Sequence, residues 1–182
     1  MDNKDARAGT VAILAENGYQ ELELWVPFYR LREEGYETVV VAPEERTYAS
    51  KLGYPVTATR SAAQARADQF LGVVIPGGWA PDRLRQDDGV LKLVQGIFER
   101  GRMVAAICHA GWVLASAGVA RGRTLTCYRA IRDDMIHAGA EVVDRQVVVD
   151  GNLITSRKPD DLPAFCAAMV QALEKTRRSS TA

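Results

Sequence analysis

Short apolar runs alternate with longer amphipathic segments along this chain, and this alternation restricts the fold more than any other sequence feature. Each run is rich in β-branched residues, and the segments between them place apolar residues at helical spacing. The predicted strands cover residues 10–15, 38–42, 71–75, 103–107 and 153–155. The predicted helices cover residues 20–34, 87–100, 108–117 and 164–176. This β-α-β alternation predicts the α/β class, with a mostly parallel central sheet and helices on both faces.

Weaker signals predict several smaller elements. Pro27 lies inside the first predicted helix and indicates a kink or a late helix start. Residues 44–60 are expected to form a loop and a short hairpin or edge strand, and residues 61–68 one or two helical turns. A brief strand is predicted at 124–126 and a further helix at 130–138.

Two valine-rich segments near the end of the chain have the pattern of a β-hairpin. Residues 141–143 and 146–149 flank Asp144 and Arg145, so we expect them to pair with each other. The turn residues 150–152 then lead into the strand at 153–155.

Length and composition indicate an ordinary globular protein. The 182 residues suit one domain over 1–182, with loose tails expected at 1–9 and 177–182. Lys plus Arg equals Asp plus Glu at 23 each, which argues against a nucleic-acid partner recognised by overall charge.

Compartment and cofactor are inferred from what the sequence lacks. No apolar run approaches membrane-spanning length, and residues 1–9 lack the apolar core of a signal peptide. The three cysteines have neither disulfide nor zinc-site spacing. We therefore expect a cytoplasmic protein with no membrane partner, no metal and no cofactor.

Cys108 is the leading candidate for chemistry. It ends the apolar run at 103–107 and precedes a helical pattern, which places it at a strand-to-helix turn. Free N–H groups and the positive end of the helix dipole at such a turn favour the nucleophilic thiolate. The alternative is that Cys108 is a small buried hydrophobic residue.

Several motifs, taken in order, resemble the DJ-1/PfpI superfamily, and specifically its PfpI-like branch. They are Glu21-Leu22-Glu23, Pro76-Gly77-Gly78, the run 105–109 (AAICH), the run 138–144 (AGAEVVD) and the run 155–165 (TSRKPDDLPAF). The resemblance extends from about Val11 to Phe165. It implies a flavodoxin-like three-layer sandwich related to class I glutamine amidotransferases. Members of the superfamily have been assigned as intracellular cysteine peptidases, as deglycases or glyoxalases, and as stress or redox proteins.

The same resemblance implies roles for three residues around Cys108. Glu23 would place its carboxyl against the thiol, and in its protonated form it would favour the thiolate; the alternative is a solvated helix-surface acid. His109 would be the base, oriented by an acid from a neighbouring subunit that corresponds to Asp82. Adjacent residues of a helix do not face each other, so adjacency alone is poor evidence for a Cys108–His109 pair. Asp82 is shorter than the family's usual Glu, and the first turn of a helix after Pro81 explains it equally well.

Three further positions belong to the predicted site. Gly78, together with the N–H of His109, would form an oxyanion hole, unless the glycine only makes a tight turn. Tyr128 corresponds to a family tyrosine near the thiol and would contact substrate, or else serve in packing. Cys127 is expected to be a packing residue. The chain departs from the family pattern at Ala110-Gly111-Trp112, where Gly-Pro is common after the histidine.

These expectations lead to three candidate functions. The first is a cofactor-independent cysteine hydrolase of the PfpI type, resembling an intracellular peptidase, in which Cys108 attacks a carbonyl and Glu23 activates it. The second is a deglycase or glyoxalase acting on methylglyoxal or its adducts. The third is a redox-responsive stress protein in which Cys108 is oxidised without turnover. We also expect a homo-oligomer, a dimer or larger, acting on a small aldehyde or a peptide.

Overall fold

The computed structural model describes residues 9–179, and a twisted sheet forms its centre. In this part of the chain eleven strands occur: β1 (Thr10–Leu14), β2 (Glu37–Ala42), β3 (Thr47–Ala49), β4 (Pro55–Thr57), β5 (Arg60–Ser61), β6 (Gly72–Ile75), β7 (Met103–Ile107), β8 (Thr124–Leu125), β9 (Glu141–Val142), β10 (Val147–Asp150) and β11 (Leu153–Ser156). Seven of them form the main sheet in the order β10-β11-β7-β6-β1-β2-β5. All neighbours in it are parallel except β10 and β11.

The helices form two packed groups against this sheet. Their bounds are α1 (Glu21–Glu33), α2 (Ala80–Leu84), α3 (Asp88–Glu99), α4 (Gly111–Ser116), α5 (Arg132–His137) and α6 (Leu162–Ser179). Helices α1 and α6 contact each other and the sheet, while α3 and α4 contact each other and the strands β6 and β7. The α/β sandwich with a mostly parallel sheet is therefore confirmed. No helix between residues 9 and 179 is both long and apolar enough to cross a membrane.

The core consists of the apolar runs that the sequence pattern identified. All five residues of β7 and all four of β6 are buried, as expected for parallel strands covered on both faces. Helix α3 shows the predicted spacing, with Val90, Leu93, Val94 and Ile97 buried on one side. Its N-cap Asp87 accepts a hydrogen bond from the N–H of Val90 at 2.8 Å, which fixes where the helix begins.

The predicted hairpin at 141–149 is wrong. Strand β9 pairs in parallel with β8, and β10 pairs antiparallel with β11, so the two valine-rich segments lie in different sheets. The residues between them are held by later parts of the chain. Arg157 donates to Asp144 at 2.6 Å, and the hydroxyl of Ser156 donates to the carbonyl of Gln146 at 2.6 Å. A local pattern identifies strands but cannot identify a pairing partner that arrives later in the chain.

Other boundaries also differ from the predictions. Helix α1 begins at Glu21 and continues through Pro27, so the alternative of a late start is wrong. Of the helical turns predicted at 61–68, only a 3-10 turn at Ala67–Gln69 forms, after the edge strand β5. Helix α6 continues to Ser179, past the predicted end at 176. Of the tails expected at 1–9 and 177–182, residues 1–8 and 180–182 lie outside the described residues.

The turn between β10 and β11 is attached to the neighbouring layer by one side chain. The amide of Asn152 donates to the carbonyls of Phe98 and Arg102, at 3.0 and 2.7 Å. These carbonyls belong to the end of α3 and to the connection that leads into β7. Asn152 therefore connects the edge of the sheet to the helical layer.

We expect Asn152→Ala and Asn152→Asp to lower the free energy of unfolding by about 1–3 kcal/mol, because each removes both donated hydrogen bonds. Asn152→Asp keeps the shape of the side chain, so it separates the loss of donors from the loss of volume. Urea unfolding followed by circular dichroism measures the change. An unchanged midpoint for both variants would show that these bonds do not stabilise the fold.

Candidate active site

The residues singled out in the sequence meet at the carboxyl ends of three adjacent strands. Cys108 follows β7, Gly77 follows β6, and Glu23 lies in the first turn of α1, which follows β1. Because the sheet order is β7-β6-β1, these ends are neighbours. Strand β1 is also where the chain changes direction across the sheet, with β2 on one side and β6 on the other. Ligand sites of open α/β sheets form at such a point.

Cys108 has an unusual backbone. Its φ of 64° is the only positive value for a non-glycine residue among residues 9–179. Strand β7 ends at Ile107, and a 3-10 turn at Cys108–Ala110 leads directly into α4. The residue is 8% exposed, and its carbonyl accepts a hydrogen bond from the N–H of Tyr128 at 3.2 Å. The predicted strand-to-helix turn is present, in a left-handed conformation.

Glu23 is a fully buried acid beside this thiol. Its Oε2 accepts a hydrogen bond from the N–H of Gly77 at 2.8 Å, and its own N–H donates to the N-cap Gln20 at 2.8 Å. Its other oxygen, Oε1, is buried and has no hydrogen-bond partner within residues 9–179. Burial raises the pKa of Glu23 to about 7. The alternative of a solvated surface acid is wrong for this residue, since its exposure is 0%.

The thiol does not ionise readily by itself. Burial, followed by the charge of ionised Glu23, raises the pKa of Cys108 to about 12. The N–H groups of Gly78 and His109 lower this pKa, as the position at a turn predicts, but they are outweighed. The expectation that the turn alone makes Cys108 a thiolate is therefore wrong.

Glu23 and Cys108 behave as one titrating pair. When Glu23 is ionised, its negative charge opposes a negative sulfur. When Glu23 carries the proton, that repulsion is absent and its O–H is available as a donor to the sulfur. After the pair has lost one proton, the remaining proton lies on the sulfur or on the carboxyl, and the form with the proton on the carboxyl is the one that contains a thiolate.

The glycines after β6 make this close approach possible. A Cβ on Gly77 would lie 2.6 Å from both the Cβ of Cys108 and Oε2 of Glu23. Gly78 has a φ of 82°, and a Cβ there would lie 2.4 Å from the carbonyl oxygen of Gly18. Both positions therefore exclude a side chain. The N–H groups of Gly78 and His109, predicted as an oxyanion hole, both act on the sulfur of Cys108.

His109 does contact the thiol, although the two residues are adjacent. The distance from Sγ of Cys108 to Nδ1 of His109 is 3.2 Å. The imidazole ring stacks on Tyr128 with a centroid distance of 4.8 Å, and the ring of Trp112 meets it edge-on at 5.3 Å. Burial lowers the pKa of His109, which keeps the imidazole neutral at pH 7.

Asp82 stays away from this cluster within one chain. It is exposed on the short helix α2, and no hydrogen bond or ion pair joins it to His109 in the described part of the chain. The structure thus brings together Cys108, Glu23, His109, Gly78 and Tyr128, and leaves Asp82 apart. Across residues 9–179, no three His, Cys, Asp or Glu side chains cluster as metal ligands would.

Two residues near the site, Lys51 and Trp112, were not predicted as site residues from the sequence. The positive charge of Lys51, in the turn between β3 and β4, lowers the pKa values of Glu23 and His109. Its Nζ lies 5.1 Å from the ring centroid of Trp79, which is 65% exposed at the rim. Trp112, part of the departure from the family pattern, donates its indole N–H to Asp134 at 2.8 Å.

Backbone hydrogen bonds lock three loops together around the site. Tyr19, fully buried after β1, forms bridges to both Ser50 and Gly78. The N–H of Gln20 donates to the carbonyl of Gly77 at 3.2 Å, and the N–H of Lys51 donates to the carbonyl of Tyr19 at 2.9 Å. The loops that carry the site are therefore fixed to one another.

Comparison with known proteins agrees with this geometry. The DJ-1/PfpI family profile matches residues 9–172. The chain is 41% identical to the deglycase PfpI of Pyrococcus furiosus, over 90% of this chain and 99% of that protein. It is 36% identical to YraA of Bacillus subtilis, provisionally named a cysteine protease, over 85% of this chain and 92% of that one.

A solved structure from Anabaena variabilis has the same fold, with a TM-score of 0.90 and 40% identity. That protein has two domains, one DJ-1/ThiJ/PfpI-like and one ferritin-like. The match covers 91% of this chain and 48% of that protein.

The rate of alkylation of Cys108 by iodoacetamide is expected to rise with pH through about 7 and then level off. This follows because loss of one proton from the Cys108–Glu23 pair opens the thiolate form. In Glu23→Gln the plateau above pH 7 should disappear and the rate should continue to rise with pH, because the thiol then titrates without a carboxyl that shares its proton. Mass spectrometry of the Cys108 peptide separates it from Cys127 and Cys166. An unchanged profile in Glu23→Gln would remove Glu23 from the activation of the thiol.

Proposed function

The chain belongs to the DJ-1/PfpI family, and from that premise we propose that it is a cysteine-dependent deglycase or glyoxalase acting on small reactive aldehydes or their adducts. The buried pair of Cys108 and Glu23 carries this proposal. A thiol that is 8% exposed, beside a carboxyl that holds a proton near neutral pH, suits a small carbonyl compound. The name of the P. furiosus relative supports the same chemistry.

The proposed first step uses the proton that the pair retains. The sulfur lone pair of the Cys108 thiolate forms a bond to the aldehyde carbon, and the C=O π electrons move to the oxygen. That oxygen takes the proton from Glu23, so the product is a neutral hemithioacetal and Glu23 becomes a carboxylate.

The carboxylate then acts as a base on the same intermediate. With methylglyoxal, Glu23 moves the hydrogen from the former aldehyde carbon to the neighbouring carbonyl carbon, by way of an enediol. The result is a thioester, in which one carbon has been oxidised and the other reduced. Water hydrolyses the thioester to lactate and restores the thiol, so the sum is methylglyoxal plus water giving lactate with no external oxidant.

A cysteine peptidase is the second candidate. The name of the B. subtilis relative and the 3.2 Å contact between Cys108 and His109 favour it. A cysteine peptidase needs a histidine that accepts the proton of the thiol, and an acid that holds this histidine in place. Since Asp82 lies elsewhere within one chain, this candidate depends on an acid from a second subunit. The redox-responsive role predicted from the sequence stays a prediction.

We propose that the protein self-associates, because one face carries apolar side chains that a monomer leaves in water. Leu22 and Tyr29 on α1 are 51% and 61% exposed, and Leu52 and Tyr54 in the β3–β4 turn are 88% and 57% exposed. Together they border one shallow apolar groove. A surface of this kind supports an interface. A second subunit is also what would bring a carboxylate such as Asp82 towards His109.

We expect purified protein to consume methylglyoxal and release lactate, and Cys108→Ala to lose at least about 99% of this rate since it lacks the nucleophile. Cys166→Ala, which removes another buried thiol, is the control and should retain the rate. Lactate measured by enzymatic assay separates turnover from simple trapping of aldehyde on sulfur. Casein hydrolysis that needs Cys108, in the absence of any lactate, would favour the peptidase instead.

Light scattering at micromolar concentration is expected to give at least twice the 19.9 kDa mass of one chain. Replacing both Leu22 and Leu52 by Ser should shift the protein towards monomer, since it removes apolar area from the interface. Val149→Ser is the control, because Val149 is 56% exposed on β10, away from this groove. A monomeric wild type would exclude Asp82 from the site.

A further inference from the structure

A cavity of about 360 Å³ lies beside Tyr128. Tyr128 lines this cavity and also stacks on His109 at 4.8 Å. Its N–H is bonded to the carbonyl of Cys108. Tyr128, which is 39% exposed, thus borders the cavity and also contacts the two residues of the thiol site.

The wall of this cavity has an excess of positive charge. Arg129, Arg132, Arg157 and Lys158 line it, together with one acid, Asp144. That acid is already bonded to Arg157 at 2.6 Å, and Arg157 also donates to the buried Asp161 at 2.9 and 3.0 Å. Lys158 pairs with Asp160 at 2.7 Å. These contacts neutralise two of the four cations.

Arg129 and Arg132 remain without comparable partners. Arg129 forms no ion pair within residues 9–179. Arg132 approaches only Asp133, at 3.9 Å, and Asp133 is 86% exposed. An exposed contact of that length contributes little. Two exposed guanidinium groups therefore line one cavity with no protein hydrogen bond to their N–H groups between residues 9 and 179.

Polar and neutral groups complete the lining. Thr126 is 2% exposed, and its hydroxyl has no hydrogen-bond partner in the described part of the chain. A buried hydroxyl without a partner is costly, so a bound ligand would recover that energy. Beside it, burial raises the pKa of Cys127 to about 11, so this thiol adds no negative charge to the cavity.

We propose that this cavity is an anion subsite for the same ligand that Cys108 attacks, which makes the substrate class an aldehyde or adduct bearing a phosphate or carboxylate. The inference rests on the proposed aldehyde chemistry and extends it. A ligand whose carbonyl lies at Cys108 would pass Tyr128 and place its charged end between Arg129 and Arg132. Guanidinium groups bind phosphate and carboxylate through paired hydrogen bonds, which gives the preference over a neutral aldehyde.

Matched aldehydes test the subsite. Glyceraldehyde 3-phosphate is compared with glyceraldehyde, and succinic semialdehyde with butanal, as inhibitors of methylglyoxal turnover, because each forms the hemithioacetal but has no neighbouring carbonyl with which to complete the reaction. We expect the charged member of at least one pair to have an inhibition constant at least tenfold lower, and the pair that shows it identifies phosphate or carboxylate. The double variant Arg129→Gln/Arg132→Gln should lose this preference while leaving the inhibition constant of the neutral member unchanged. Arg145→Gln, an exposed arginine outside the cavity, should keep the preference.

Binding of inorganic phosphate to Cys108→Ala, measured by calorimetry, separates the subsite from the chemistry. Phosphate binding that the double variant loses and Arg145→Gln retains supports the anion subsite, even if no aldehyde is consumed and the proposed function fails. Equal inhibition constants within both pairs overturn the ligand preference while Cys108-dependent turnover of methylglyoxal stands. If nothing is consumed and no phosphate binds, both proposals are overturned.

Discussion

A carboxyl group enclosed against a thiol, without access to water, is the interaction on which the rest of the site depends. Glu23 receives one backbone hydrogen bond, from Gly77, and keeps a proton to higher pH than an ordinary glutamate because ionisation in that place is unfavourable. Its native pKa of about 7 lies above the ordinary value of 4.5, so the folded state binds this proton more tightly than the unfolded state. Stability is therefore greatest at low pH on this account, and falls by about 3 kcal/mol as pH rises from 4.5 through 7. The fold tolerates this cost at the position where the proposed mechanism uses the proton.

Sequence patterns anticipated the framework because burial on both faces of a parallel sheet leaves a direct trace. The runs that became β6 and β7 are continuous apolar segments ended by Pro76 and Cys108, and the helical spacing of α3 is regular. The position of Cys108 followed from the end of its apolar run, and its meeting with Glu23 was implied by the family resemblance. The pairing of β9 and β10 did not follow, since it depends on contacts with Ser156 and Arg157 from later in the chain.

The electrostatics of the site were harder to anticipate than its geometry. A turn that offers N–H groups predicts a lowered thiol pKa, yet the depth of burial of Cys108 reverses the sign. Lys51 acts on Glu23 and His109 from a turn whose sequence carries no catalytic signature. Burial depth and distant charges are properties of the assembled fold. The contact of Cys108 with His109 was implied by the family resemblance and not by their adjacency, because helical geometry does not apply to a residue whose φ is 64°.

That left-handed cysteine has a consequence for how the protein can change. A side chain other than glycine's is disfavoured in this region by about 1–2 kcal/mol, so Cys108 carries backbone strain that glycine would not. Glycine at this position would relieve the strain and remove the sulfur. Backbone preference alone therefore does not account for a cysteine here, and the strain is an argument for a role of its side chain.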